Sequence, residues 1–335
     1  MASSYNNIHP VDTILTSLIS EAVPSDNQLI ANQIFETVKI PERSGTFLLE
    51  NSRNFMGSAV GLDLQRAPGA SRVRNGGFDR TSLTYLADIY GLEECIAMED
   101  IRDSQYPGSE EARMIRKVRR AMMLAKEKRA ADLIFDTSSF SNDTCTNVMG
   151  GKIDAAGTDG LTGLDKLKDL LFAAAHGINP DTLIFGRGVF RSLARNPEVR
   201  GYAGDFSGAG VASGNRILTE EATKEVLRNI LGIPNIYVGE ARRETAVPGA
   251  TSSEAQIWNT ETIFCGIMKG ADAILNGKNK VKGMPVAALN FEMSTMTANQ
   301  YDTLDGVKRF VYADETHIFK AIDSTLGYIL TDCLV

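Results

Sequence analysis

The chain has 335 residues, a net charge of −7, 43% hydrophobic and 23% charged residues. That balance places it among globular chains with ample apolar material for a core, in one large domain or two to three smaller ones. It excludes nucleic-acid binding by overall charge, and no apolar run approaches the ~18–20 residues of a membrane span. The four cysteines, Cys95, Cys145, Cys265 and Cys333, lie far apart in no metal or redox spacing, and are expected as buried reduced thiols.

The N-terminus lacks a basic segment followed by a continuous apolar one, so no secretion signal is read. Val11, Ile14, Leu15, Leu18 and Ile19 follow helical spacing, and Pro24 ends the pattern. This amphipathic helix is expected to dock on its own body or on a neighbouring subunit. Asp26–Pro41 reads as an extended arm, and Thr46–Glu50 as a short strand.

Val60, Leu62 and Leu64 alternate with polar or small residues, and so do Leu83, Tyr85, Ala87 and Ile89. Between them, Pro68-Gly69 and Asn75-Gly76-Gly77 supply turn chemistry, and Arg66, Arg72, Arg74 and Arg80 make the segment basic. The pattern predicts a long β-hairpin with a wide basic tip. Such a hairpin has little core of its own and two open edges, which suits an arm laid over a neighbouring copy. Asp88, Glu93, Glu94, Glu99, Asp100 and Asp103 follow as an acidic stretch. Carboxylate clusters can bind cations or move protons. With no His or Cys beside them, a solvated or partner-facing surface is favoured, and opposite charges in one chain suit head-to-tail contact.

Ser109–Phe135 contains no Gly or Pro and is rich in strong helix formers. Ser109 is the expected N-cap, with Glu110 and Glu111 at the positive end of the dipole. Ile115, Val118, Met122 and Ala125 form its apolar stripe, continued by Leu133 and Ile134 after a basic interruption at Lys126, Lys128 and Arg129. Residues 110–135 carry eight basic against four acidic side chains. Either a solvated face making ion pairs, notably at Arg116 and Arg120, or a surface turned toward a polyanion accounts for the excess.

Asp136–Gly163 reads as a connection with little structure. Leu164–Ala175 is expected as a helix ended by Gly177, Asp181–Phe185 as a strand, and Val189–Ala194 as a helix stopped at Asn196-Pro197. Tyr202–Asn215 reads as a flexible Gly/Ser/Ala loop, and Thr219–Leu231 as a helix capped by Thr219. Asn235–Gly239 and Ala255–Met268 read as strands, and Val286–Val335 as mainly β.

No catalytic constellation is found. His9, His176 and His317 stand in no motif and are expected to be structural. Gly208–Gly214 has the wrong spacing and context for a dinucleotide loop, and Gly270 to Lys278 is not a phosphate-binding loop. No metal-ligand spacing, cofactor motif or catalytic residue is assigned. Trp258 is expected as a core or interface anchor.

The order of parts resembles the major capsid protein of tailed double-stranded-DNA bacteriophages, whose fold is shared with herpesvirus shells and encapsulins. Three blocks carry the resemblance: Tyr85–Asp103 running into the long helix, Asp181–Tyr202, and Asn229–Thr262. It implies an α+β fold with an N-terminal arm (1–45) and an extended β-hairpin loop (46–90). A peripheral domain (91–178 and 290–335) would be built on the spine helix 109–135, beside an axial α/β domain (179–289). It implies a structural, non-enzymatic protein that self-assembles into pentamers and hexamers of an icosahedral shell around packaged DNA. Assembly would take place in the host bacterial cytoplasm, and the chain would reside in the virion. Expected partners are further copies, a portal protein, the packaged DNA by proximity, a decoration protein, and a separate scaffold, since about 45 residues precede Thr46. Arg66, Arg72, Arg74 and Arg80 at the loop tip and Glu93, Glu94, Glu99 and Asp100 opposite are the expected inter-subunit contacts. Some relatives weld the shell through a Lys on this loop. No Lys lies between Lys39 and Lys117 here, so a non-covalently locked shell is expected. The competing readings are an encapsulin-like nanocompartment shell and an α/β enzyme with an unrecognised site.

Overall fold

The computed structural model describes residues 28–50, 65–66, 68–69, 71, 80–103, 107–155, 160–175, 177–206, 219–247, 249–269 and 286–335. The helix expected at Val11–Ile19, the strand at 60–64, His9, His176, Arg72, Arg74, most of the Gly-rich loop and Gly270–Lys278 lie outside them.

Two sheets organise the described residues. The first joins β1 (Thr37–Lys39), β4 (Asp88–Ala97), β11 (Ala288–Asp302) and β12 (Lys308–Ala321) in the order β1-β11-β12-β4. β1 runs parallel to β11, and the other pairs are antiparallel. The second joins β5 (Ser141–Thr144), β6 (Thr182–Gly186), β7 (Asn235–Gly239), β10 (Ile263–Gly266) and β13 (Gly327–Thr331) in the order β5-β13-β10-β6-β7. It draws strands from both sides of residue 179 and residue 290, so the expected division into two bodies runs through one continuous sheet.

The spine helix spans Pro107–Ile134, 28 residues or about 42 Å. It begins two residues before the expected cap at Ser109. Pro107 lacks an N–H and has a preset φ, which fits the first helical position. Met114, Ile115, Val118 and Met122 pack on Ala298, Val311 and Ala313 of the first sheet. Ala125, expected on that stripe, is exposed. The buried face moves instead to Lys126, Glu127, Ala130, Ala131 and Ile134, where the helix leaves the first sheet for a second cluster.

Both faces of the second sheet are covered. Leu183, Phe185, Ile263, Cys265 and Leu330 face a cluster built with helices at Gly160–Ala174, Arg187–Arg195 and Glu220–Leu231. Ile184, Phe264 and Ile329 face the C-terminal half of the spine. This explains the unbroken apolar run of β6, which reads as a strand buried on both sides.

Local signals set several helix ends. The Thr219 hydroxyl accepts the Ala222 N–H at 3.4 Å, and Gly177, at φ +86°, donates its N–H to the Phe172 carbonyl at 2.8 Å.

Elsewhere tertiary pairing overrides the reading. Leu29–Ile40, expected as an extended arm, contains a helical turn at Ala31–Ile34 and β1, with Leu29, Ile30, Ile34, Phe35, Val38 and Ile40 in the core. Asp136–Gly163, expected to have little structure, holds β5, a helix at Cys145–Met149 and the start of the Gly160–Ala174 helix. Tyr202–Phe206 is the end of a helix at Pro197–Phe206, not loop. Ala255–Met268 is divided between β9 (Glu254–Gln256), which forms a hairpin with β8 (Arg242–Glu244), and β10. The alternation across Leu83–Ile89 is split at Ala87 between β3 (Arg80–Leu86) and β4. β3 pairs with β2 (Ser44–Glu50), from Ser44↔Leu86 to Glu50↔Arg80, so the loop base is set by the strand at 44–50.

Candidate assembly surface

The extended loop is anchored by aromatic packing. Tyr85, buried at the foot of β3, stacks on Phe291 of β11 with centroids 5.1 Å apart, and Phe47 of β2 lies 5.1 Å from the same ring. Arg43 and Ala87 close the foot reciprocally. Arg43 Nε donates to the Ala87 carbonyl at 2.7 Å, and the Ala87 N–H donates to the Arg43 carbonyl at 2.8 Å. Beyond this foot the structure places Arg66 at an exposed position and Arg80 at the start of β3.

The acidic stretch forms part of an edge strand. Among the described residues β4 has a neighbour, β12, on one side only. Glu94 pairs with Lys117 of the spine, and Glu93 accepts the Tyr301 hydroxyl at 3.2 Å. Glu99 and Asp100 are exposed in the first turn of the helix Met98–Asp103, a favourable place for carboxylates. Glu93 and Glu94 thus already hold partners within the chain. On the spine, Arg116 is exposed and Arg120 half-buried.

The sheet face turned away from the spine carries a half-buried aromatic row. Tyr301 stacks on Phe310 (5.0 Å, 6° between planes) and meets Tyr312 edge-on at 5.9 Å. With Gly91, Glu93 and Asp314, Tyr301 and Tyr312 line an open groove of about 500 Å³. Ile89 and Leu92 on the adjoining edge are 60% and 41% exposed.

Beneath this surface lies a buried polar waist that sequence reasoning missed. Glu127 of the spine is 1% exposed. Its carboxylate accepts the backbone N–H groups of Ile30 and Ala31, both at 2.9 Å, and the Trp258 indole N–H at 2.7 Å. Burial pushes its acid strength down, raising the pKa, while these three donors act in the opposite sense. Trp258 can lie there because Gly239 has no side chain: a Cβ at that position would sit 2.3 Å from the indole Cγ. On the other side of the helix, Lys126 pairs with Glu315 of β12, both buried. The Arg129 guanidinium lies 3.6 Å over the Tyr90 ring and its Nη2 donates to His317 Nε2 at 3.3 Å. His317 Nδ1 faces Glu315 Oε1 at 3.3 Å. Burial, and then the charges of Lys126 and Arg129, lower the His317 pKa to about 3, so the ring is a neutral acceptor for Arg129 at neutral pH.

The basic interruption at residues 126–129 was the available signal. A charged triplet inside an apolar stripe marks buried partners from elsewhere in the chain as well as it marks solvent. Among the described residues no group of three or more His, Cys, Asp or Glu converges as a metal shell would. The waist is a mechanical joint between the spine, the arm, the Trp258 segment and both sheets.

No family model matches the chain. It is 24% identical over 193 residues to a major capsid protein of Pseudomonas phage JBD67, an alignment covering 56% of each, so the chain spans about half the length of that curated relative. A phage-related protein from Bordetella bronchiseptica superposes with a TM-score of 0.67 at 18% identity, over 97% of this chain and 98% of that one. The capsid structure of cyanophage P-SCSP1u gives a TM-score of 0.54 at 12% identity, over 90% and 87%. The two sheets and the long helix packed between them therefore have the fold of the phage capsid proteins.

Proposed function

We propose that this chain is the shell-forming subunit of a tailed-phage head. It assembles into pentamers and hexamers that build an icosahedral shell around packaged double-stranded DNA, and its role is structural and not enzymatic. The observation that carries this reading is a capsid fold matched over nearly the whole chain, combined with a sheet whose outer face and ten-residue edge have no cover among the described residues. The similarity to a phage capsid protein favours this over a nanocompartment.

On this reading the spine and the first sheet form the peripheral part (91–178 and 290–335), and the region 179–289 forms the axial part. The basic loop of one copy, with Arg66, Arg72, Arg74 and Arg80, lies against Glu93, Glu94, Glu99 and Asp100 of the next. Arg116 and Arg120 serve ion pairs between subunits. A scaffold protein guides assembly in the host cytoplasm, a portal occupies one vertex, and the finished shell is held without covalent links.

Negative-stain microscopy and size exclusion of the purified protein, alone and with its scaffold, test the reading. Capsomers or closed shells are expected, and a species that stays monomeric under both conditions overturns it. Reversing charge at Arg116→Glu and Arg120→Glu should impair assembly more than DNA retention. Normal shells that fail to hold DNA would assign those residues to the inner wall instead.

A further inference from the structure

Cys145 and Cys333 form a pair of thiols with no part in the assembly reading. β5 and β13 run parallel, with Thr144↔Thr331 as their last register pair. Cys145 opens the next helix directly after Thr144. After Thr331 the chain turns at Asp332, whose φ of 54° is the one positive value outside glycine among the described residues. Lys152 holds the Asp332 carboxylate at 2.8 Å. Cys333 is then fixed by two backbone bonds. Its N–H donates to the Glu261 carbonyl, and its carbonyl accepts the Ile153 N–H at 2.9 Å. Both thiols are fully buried in the same apolar cluster, with Met149 Sδ 3.2 Å from Cys145 Sγ.

We propose that Cys145 and Cys333 form a redox-modification site, an internal disulfide made by exchange with a small-molecule disulfide, which fastens the C-terminal strand to the Cys145–Met149 helix. This inference does not depend on shell formation.

The two thiols have different parts. The Cys145 thiol is held below its ordinary value, first by its hydrogen bond with Cys333, with the Ile153 N–H and the Lys152 charge acting in the same sense. The Cys333 thiol is pushed up by that same hydrogen bond and by burial. In the proposed exchange Cys145, on the side of the Lys152 charge, is the attacking thiolate and Cys333 the resolving thiol. The Cys145 thiolate attacks one sulfur of oxidised glutathione, the glutathione S–S bond breaks, and one glutathione thiolate leaves. Cys333 gives up its proton and attacks the Cys145 sulfur of the mixed disulfide. The Cys145–Cys333 bond forms and the second glutathione leaves, so two protein thiols lose two electrons and one glutathione disulfide gains them. Both thiols are fully buried, so entry requires local opening around them. The bond would close a loop of more than half the chain, the geometry in which a cross-link restricts the unfolded state most.

The test uses full-length Cys95→Ser protein, which removes the exposed thiol, incubated with oxidised glutathione in urea below the unfolding transition. Thiols titrated after denaturation should fall from three to one. The non-reducing gel band should run faster, peptide mapping should recover a Cys145–Cys333 link, and the thermal midpoint should rise by several degrees, reversed by dithiothreitol. Cys145→Ser or Cys333→Ser in that background should retain both remaining thiols. Persistence of three thiols, or a link through Cys265, overturns the proposal. If either serine variant fails to fold, the peptide map of the Cys95→Ser protein alone decides.

Discussion

The two sheets solve the same problem in opposite ways. The five-stranded sheet is covered on both faces by its own chain, and its edge strands β5 and β7 have only four and five residues. The four-stranded sheet is covered by the spine on one face, leaves an aromatic row half-buried on the other, and ends in a ten-residue edge strand with exposed Ile89 and Leu92. Short edges offer few free backbone groups to a partner, and long ones offer many. The five-stranded sheet is finished within the chain, and the four-stranded one leaves a face and an edge open among the described residues. The spine lies on the open sheet with its first half and against the closed one with its last, so the polar waist joins a settled region to an unsettled one.

Substitutions can break this contrast. Phe264→Ala, in the middle of the closed sheet, removes a fully buried ring and should cost about 3–5 kcal/mol in urea unfolding. A loss under about 1 kcal/mol would show that the sheet is not the stable half.

Glu127→Ala strands three buried donors at the waist and should cost about 3 kcal/mol. Glu127→Gln, which keeps a carbonyl acceptor, should lose less. Equal losses would mean that packing and not hydrogen bonding holds the joint.

The waist should also respond to acid. His317 in the folded chain titrates near 3, below its ordinary 6.5, so between those values the unfolded chain binds the extra proton. Its contribution is complete above about pH 6.5 and is lost as pH falls toward 3. His317→Asn should flatten the slope of unfolding free energy against pH there. An unchanged slope would move the acid sensitivity to other groups.

The smallest effect on the isolated subunit is expected at the open edge. Ile89→Ser should change stability by less than about 0.5 kcal/mol, yet reduce the yield of assembled particles measured by sedimentation. A large loss of stability with normal assembly would show that the edge belongs to the fold and not to the contact.

The parts legible in the sequence were those whose signals are local. The spine helix, the Thr219 cap, the Gly177 stop and the strands at 182–186 and 235–239 each depend on residues a few positions apart. What escaped depends on distant partners. Ser141–Thr144 is polar and resembles a loop, and becomes a strand because β13 lies beside it. Leu29–Ile40 has a core composition with no clear period, since it is half helical turn and half strand. Lys126 and Glu127 carry the charges of a solvated face and are buried because Glu315, Trp258 and two backbone N–H groups wait for them. Of the expected contact residues, the order along the chain was readable, but not that Glu93 and Glu94 already hold partners inside the subunit.

The register of both sheets also sets a clock. β1 pairs with β11, β4 with β12, and β5 with β13, and all three late strands lie within residues 288–331. Neither sheet can close before residues 288–331 have been made. Such distant pairings also form slowly. The long edge strand and the aromatic row are therefore assembled last. A nascent chain has no finished sheet to present until those late strands have emerged.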